Sequence, residues 1–515
     1  MNKEQILWAD DEIDLLKPHI LFLQNKGYEV TTVTNGRDAL DAISQQNFHL
    51  IILDENMPGI SGLEALQQIK IAQPNVPVIM ITKSEEENIM NQAIGSEIAD
   101  YLIKPVNPMQ ILLSIKKNLH SEALVAQKAT SDYQQEFMSI SQQIAMARTI
   151  DDWYQLYNTL VRWELTLSNA ETGMADMLRM QKQEANSAFA KMVKRNYEKW
   201  VTTDDHPLMS NEIFKTQIFP HIDAGEKVCF IVIDNFRLDQ WRTISPLLND
   251  YFNIEKEELY TTILPTATQY ARNAIFSGLM PIDIERMFPE LWVDEDEDEG
   301  KNLNEAPLIQ TILDRYRRKC KFSYNKLNDS AAGERLVQHF AQLKNFDLNV
   351  IVFNFVDILS HARTESKMIR ELAYTDEAYR SLTVTWFKNS YVLEIFKRIA
   401  EQGWKIVLTT DHGTTRVDNA IKVIGDRNTN TNLRYKVGKN LSYNPRQVYE
   451  IKQPKRFGLP LLNVSSTYIF ASGRDFFAYP NNYNHYVQYY NDTFQHGGIS
   501  MEEMLVPLIT ITPKK

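Results

Sequence analysis

Over the first 120 residues the chain alternates short apolar runs with stretches in which apolar residues recur every three or four positions. The runs are QILWA, EVTTVT, LIILD, VPVIMIT and DYLIK. Their length and β-branched content predict strands. Between and after them lie LLKPHILFL, DALDAIS, GLEALQQIK and MQILLSIKKNL, whose spacing predicts amphipathic helices. Five strands alternating with such helical stretches predict a doubly wound parallel α/β sheet over residues 1–120. Sites in such sheets lie at the carboxyl ends of the strands.

From 121 to about 200 the β-branched runs stop, and Gln, Glu, Lys, Ala and Met dominate in YQQEFMSISQQIAMA, WYQLYNTLVRWELTL and MADMLRMQKQEANSAFAKMVKRNYEKW. This predicts a helical bundle over 121–205, read as a linker, with a dimerising helix as the rival reading. From 206 strands return as VCFIVID, NVIVFNFVD and WKIVLTTD, and the chain ends in MLVPLITITP. Residues 206–515 are therefore expected to form a second, larger α/β domain.

Composition narrows the class. The 515 residues suggest about three domains at the usual ~100 to 200 residues each. A hydrophobic share of 43% and a charged share of 23% are those of ordinary globular protein. The net charge of −11 argues against a general DNA-coating role, which needs a surplus of Lys and Arg. Of two cysteines, Cys229 falls in an apolar strand and Cys320 in what reads as a basic helix, so no disulfide framework or thiolate metal site is expected. The start MNKEQILWADDE has no apolar signal core, and no run approaches the ~18 apolar residues of a membrane span, so a cytoplasmic, membrane-free protein is expected. The run DEDEDE at 294–299 reads as a solvated loop.

In the first domain Asp10 and Asp11 follow strand one, Asp54 strand three, Thr82 strand four and Lys104 strand five. The fold brings these together. Three carboxylates in one cleft suit a hard divalent cation such as Mg²⁺. Asp54 is then the nucleophile that takes a phosphoryl group, with Lys104 and Thr82 directed at its oxygens. These residues, with the DENMPG turn and the Lys104-Pro105 pair, resemble the response-regulator receiver family. The resemblance implies a flavodoxin-like (CheY-like) receiver fold and a cis peptide at Lys104-Pro105. It further implies a backbone carbonyl of Asn56 in the Mg²⁺ shell and an inward swing of Tyr101 with Thr82 on phosphorylation.

The large domain carries a second set: Asp234 after VCFIVI, Asp357 and His361 in FNFVDILSH, Asp411 and His412 after WKIVLTT, and His496 in FQHGGIS. Asp357 and His361 are four apart, on one face of a helix. Three carboxylates and three imidazoles are enough for two borderline ions such as Zn²⁺. With PTATQYARNAIFSG, TTDHG and HGGISMEE, the pattern from about Lys227 to Pro507 resembles the PglZ branch of the alkaline phosphatase superfamily. That resemblance implies one zinc on Asp234, Asp411 and His412, with Thr268 as the nucleophile bound to it, and another on Asp357, His361 and His496. Arg272 and Asn273 are candidate substrate contacts, with helix capping as the alternative.

The segment NLRYKVGKNLSYNPRQVYEIKQPKRFGLP holds seven Lys or Arg and three Tyr in an otherwise acidic chain. Such interleaving suits nucleic acid, so a linear oligonucleotide or cyclic nucleotide is the expected substrate, against an exposed basic loop or partner surface. The three-part order also resembles response regulators of type IX secretion. This implies a sensor histidine kinase as phosphoryl donor, homodimerisation on phosphorylation and an extracytoplasmic-function sigma factor as partner. Two readings result: a phosphorylation-controlled phosphodiesterase, or a phosphorylation-controlled binding module for the sigma factor with little or no catalysis.

Overall fold

The apolar runs of the first segment pair side by side in parallel. The structure is a computed structural model that describes residues 3–83, 87–168, 172–294, 302–425, 429–463, 465–480 and 482–514. Strands β1 (Gln5–Ala9), β2 (Glu29–Val33), β3 (Leu50–Asp54), β4 (Val78–Thr82) and β5 (Asp100–Ile103) form one sheet in the order β2-β1-β3-β4-β5. They alternate with α1 (Lys17–Asn25), α2 (Gly36–Gln45), α3 (Gly62–Ala72), α4 (Glu87–Gly95) and α5 (Pro108–Leu119). Because strand side chains alternate faces, the continuous apolar runs need cover on both sides. Leu7, Ile51 and Leu53 pack with Leu66 and Ile69, whereas Ile6, Trp8 and Ile52 pack with Ile111 and Ile115. A capping box between Ser61 and Glu64 starts α3. A Cβ on Gly62 would stand 2.3 Å from the carbonyl oxygen of Asp54, so only glycine lets the helix begin this close to the end of β3.

Three long helices follow: α6 (Ser121–Met146), α7 (Ile150–Thr166) and α8 (Thr172–Thr202). A capping box between Thr149 and Asp152 starts α7, and Trp153, Leu156, Tyr157 and Leu160 form its buried stripe. The chain divides into two compact units, Met1–Ser131 and Asp132–Lys515. Thus α7 and α8 fall in the same compact unit as the large domain.

The main sheet of the second unit has six strands: β6 (Val228–Ile233), β7 (Phe252–Thr261), β8 (Phe322–Leu327), β9 (Leu348–Phe353), β10 (Lys405–Thr409) and the C-terminal strand Leu505–Pro513. Its order is β7, C-terminal strand, β10, β6, β9, β8. β10, β6, β9 and β8 run parallel, and the C-terminal strand runs antiparallel to both β10 and β7. All six residues of β6 and of β9 are buried, which explains their unbroken apolar sequences. β7 and β8 escaped the sequence reading because β7 spends most of its length exposed and β8 is a half-buried edge.

Cys320 is not in a helix. The helix Glu305–Arg315 ends as Arg317 turns to a φ of 54°, and the N–H of Arg318 bonds the carbonyl of Leu313 at 2.8 Å, leaving Cys320 between helix and β8. The basic, tyrosine-bearing segment is also different from its expectation. It supplies Tyr435–Gly438 and Tyr449–Ile451, which flank Thr467–Phe470 in a small antiparallel sheet. Arg434, Tyr435 and Lys436 are buried there. Of the acidic run, residues 295–299 lie outside the described residues. No helix among the described residues is long and apolar enough to cross a membrane.

Arg434 is held by Glu503: Nη2 donates to Oε2 at 2.6 Å and Nε to Oε1 at 3.1 Å, with both side chains fully buried. Removing one member strands a buried charge. Arg434→Ala should therefore lower the stability of the large domain by about 3 to 5 kcal/mol, read as a lower urea midpoint in tryptophan fluorescence.

Candidate functional site

Two sites lie at the carboxyl ends of parallel strands, one in each of the two main sheets. In the first, Asp10 follows β1 and Asp54 ends β3, and both are buried. Ligand oxygens of Asp10, Asp11 and Asp54 lie within 4.8 Å of one another. Lys104 Nζ is 2.7 Å from Asp10 Oδ2 and 2.7 Å from Asp54 Oδ2. Burial pushes the Asp54 carboxyl above its usual range, and the bond and charge of Lys104 only partly offset this. One ammonium against three carboxylates leaves a negative, all-oxygen cradle whose chemistry is typical of Mg²⁺ sites. Thr82 is buried at the end of β4, and Tyr101 is half-buried against the apolar layer. The peptide between Lys104 and Pro105 is cis. Asn56 is exposed on the turn, its N–H 3.5 Å from Asp54 Oδ1.

The second site is built on three adjacent parallel strands. Asp234 follows β6, Asp411 and His412 follow β10, and the helix Phe355–Glu365 after β9 presents Asp357 and His361 one turn apart. His496 arrives from the loop before the C-terminal strand. These residues form two groups, Asp234 with Asp411 and His412, and Asp357 with His361 and His496, each with ligand atoms within 4.8 Å of one another. The groups adjoin: the rings of His412 and His496 stack with centroids 4.2 Å apart.

The donor set fits divalent metal. Asp411 Oδ2 is buried without a hydrogen-bond partner, and Arg272 Nε at 3.6 Å is too far to bond it, a costly state that a closer cation would relieve. The Nδ1 atoms of His412 and His496 lie 3.1 Å from the carbonyls of Gly413 and Thr266. A carbonyl only accepts, so Nδ1 carries the proton in each ring and the Nε2 lone pair is free to ligate. Burial, reinforced by His412, pushes His496 down to about 3, which keeps it neutral.

Thr268 opens the buried helix Thr268–Ser277. Its Oγ1 is 3.1 Å from His412 Nε2 and 3.4 Å from Asp234 Oδ1. The hydroxyl thus sits at the edge of the first group and at a helix N-terminus, where partial positive charge favours an anion.

Arg272 lies one turn along this helix with its guanidinium turned toward carboxylates. It is 1% exposed, with Nη2 3.0 Å from Asp234 Oδ2 and Nε 2.8 Å from Glu305 Oε1 and 3.6 Å from Asp411 Oδ2. Its guanidinium is consumed by the carboxylates it backs. Asn273 is likewise buried. Electrostatics split the two aspartates. Burial raises Asp234 well above its usual range despite Arg272, with Asp411 and Asp357 adding to the rise. For Asp411, burial is outweighed by His412, Arg272 and backbone N–H donors, and the carboxyl ends below its usual range.

Asn235 and Glu305 were missed from sequence. Asn235 takes a left-handed φ of 61°, donates from Nδ2 to Asp357 Oδ1 at 3.1 Å, and points its backbone N–H at Asp411 Oδ1 at 3.4 Å. It therefore ties one group to the other. An Asp-Asn pair ending an apolar strand was the available signal, since Asn tolerates this conformation better than most residues. Glu305 had none: it lies far along the chain from Arg272 and in no motif.

Comparison with known proteins agrees with this geometry. Residues 213–511 match the BREX system PglZ alkaline phosphatase-like domain, residues 123–201 the PorX response regulator linker domain, and residues 6–116 the response regulator receiver domain. The transcriptional regulatory protein ResD of Bacillus subtilis is 32% identical over 115 residues, 22% of this chain and 48% of its own. The uncharacterized transcriptional regulatory protein YkoG of the same bacterium is 34% identical over 121 residues, 23% of this chain and 52% of its own. The chain spans about half the length of these relatives. A solved receiver domain protein from Methanospirillum hungatei is 28% identical, covering 23% of this chain and 96% of its own with a TM-score of 0.23. A phosphoacceptor cradle on a receiver sheet, a linker of the PorX type and paired Asp/His groups on a PglZ sheet thus stand in one polypeptide, and the chain belongs to the PglZ alkaline phosphatase-like family as a PorX-like response regulator.

Proposed function

We propose that phosphorylation of Asp54 governs a zinc-dependent phosphodiesterase with Thr268 as nucleophile, acting on linear or cyclic oligonucleotides in the regulation of type IX secretion. The observation that carries this reading is the position of Thr268 Oγ1, 3.1 Å from His412 Nε2 and 3.4 Å from Asp234 Oδ1. Asp234, Asp411 and His412 would hold one ion, and Asp357, His361 and His496 the other. Such a pair supplies Lewis-acid polarisation of phosphoryl oxygens and a lowered hydroxyl pKa.

The chain's own part follows from its geometry. Thr268 Oγ1 forms the new ester bond to phosphorus while the bond to the leaving alcohol breaks, and water then hydrolyses the phosphothreonine. The N-terminal N–H groups of its helix stabilise the negative charge that builds there. Lys439, Arg446, Lys452, Lys455 and Arg456 remain exposed and give an oligonucleotide a cationic flank.

On the receiver, Asp54 takes its phosphoryl group from a sensor histidine kinase, with Mg²⁺ on Asp10, Asp11, Asp54 and the Asn56 carbonyl, and Lys104 and Thr82 on the phosphoryl oxygens. Tyr101 and Thr82 then move inward and the chain dimerises, in the cytoplasm. An extracytoplasmic-function sigma factor is the proposed protein partner. A large domain that only bound it would gain nothing from burying more carboxylate charge beside a hydroxyl than Arg272 can balance, which favours the enzyme reading over a pure binding module.

The purified chain should carry about two zinc ions and hydrolyse bis-p-nitrophenyl phosphate, losing both on chelation. Thr268→Ala should lower turnover about a thousandfold or more while metal content by mass spectrometry stays the same. Full turnover in that variant would remove Thr268 from the reaction. Acetyl phosphate should move the wild type toward a dimer in light scattering and leave Asp54→Ala unmoved; an unchanged wild-type mass would exclude the dimer switch.

A further inference from the structure

The helix Tyr483–Tyr490, with sequence YNHYVQYY, has four tyrosines and one histidine and no carboxylate. Its inner stripe, Tyr483, Val487 and Tyr490, packs against Val417, Phe476 and Ala478. This spacing of four and three already provides the burial a surface helix needs. The opposite side nevertheless carries more rings: His485 and Tyr486 are exposed and Tyr489 is half-buried. They are ordered as a ladder. His485 stacks on Tyr489 with centroids 6.1 Å apart, and Tyr486 on Tyr490 at 6.2 Å.

Two connections link the ladder to the elements that carry Asp357, His361 and His496. The Arg370 guanidinium lies 5.4 Å over the Tyr489 ring. Arg370 belongs to the helix Lys367–Leu372, which directly follows and packs on the helix carrying Asp357 and His361. At its other end the tyrosine helix runs within a few residues into Phe494–Gln495 and His496. The side chain of His361 between them is 59% exposed, so this flank of the second ligand group opens to solvent. The nearest acid after the helix, Asp492, is engaged by Arg416 Nε at 3.1 Å.

We infer that the His485, Tyr486 and Tyr489 ladder with Arg370 is a base-stacking subsite for a single-stranded oligonucleotide whose scissile diester lies at Thr268, an inference that rests on the phosphodiesterase reading. Every base has a π-face, so stacking on tyrosine is tolerant of sequence, and arginine adds both ring contact and phosphate attraction. Neutral rings beside a cation-binding centre repel no phosphate. The basic segment buries Tyr435 in its own small sheet and half-buries Tyr443 and Tyr449, whereas the tyrosine helix exposes His485 and Tyr486.

The test uses the full chain as Thr268→Ala, so that bound strands survive, and fluorescence anisotropy with two labelled probes of equal length. One is a short single-stranded oligothymidylate, the other the same backbone with every base absent. The base-bearing strand should bind more tightly. Replacing Tyr486 and Tyr489 together by Ala should weaken it roughly tenfold or more, leave the abasic strand unchanged, and be rescued by Phe at both positions. No binding of the base-bearing strand, equal loss for both strands, or no loss would overturn the subsite. Zinc-dependent turnover of bis-p-nitrophenyl phosphate by the wild type reports separately on the phosphodiesterase. Its absence alongside ring-dependent binding would sink that reading and leave the subsite standing.

Discussion

Asp234, Glu305 and Asp411 share one buried guanidinium, and the large domain is organised around the charge this leaves over. Arg272 contacts all three, while Lys326 reaches Glu305 at 3.0 Å. Burying carboxylates costs several kcal/mol each unless cations and donors meet them. Arg272 meets them from behind, so the faces turned toward Thr268 stay electron-rich. The opposed shifts of Asp234 and Asp411 express the same strain: two carboxyls and one positive neighbour cannot all be satisfied. A divalent cation would resolve that imbalance, which is the physical reason the Asp234, Asp411 and His412 group suits a metal.

Holding such a centre requires that its loops have no other low-energy arrangement. Much of that constraint comes from α8. Asn186 accepts from the backbone N–H of Met501 at 2.7 Å and donates to Glu502 at 2.9 Å, just beyond His496. Tyr197 accepts from the N–H of Leu264 at 2.7 Å, just before the Thr268 turn. Gly413 lets His412 approach the same loop, since a Cβ there would stand 2.0 Å from the carbonyl of Glu502. Helix α8 is therefore part of the frame of the candidate metal site, bonded both to the turn before Thr268 and to the loop that follows His496.

The receiver cradle solves the same electrostatic problem with a different balance. Lys104 is shared between Asp10 and Asp54 and lifts the penalty only in part, so Asp54 remains above its usual range. Shared solutions on unrelated sheets have a common origin: parallel strands end side by side, and polar residues just past an apolar run have nowhere to go but the shared edge.

The receiver sheet, the helical middle and the position of the Asp and His residues near strand ends were legible in the sequence because each depends on local pattern, whereas the division of those residues into two groups was implied only by the family resemblance. A buried parallel strand must be apolar throughout, and a carboxylate ending it must lie at the carboxyl edge. Asp357 and His361 share a face by helical spacing alone. What only the tertiary structure decided were the partners of residues whose role depends on distant chain. Arg272 meets Glu305 only because the fold brings a separate helix behind it, and Arg434, Tyr435 and Lys436 are enclosed by Glu503 and the small sheet. Periodicity specifies which face a side chain takes, whereas the charge that meets it there is set by packing between segments far apart in the chain.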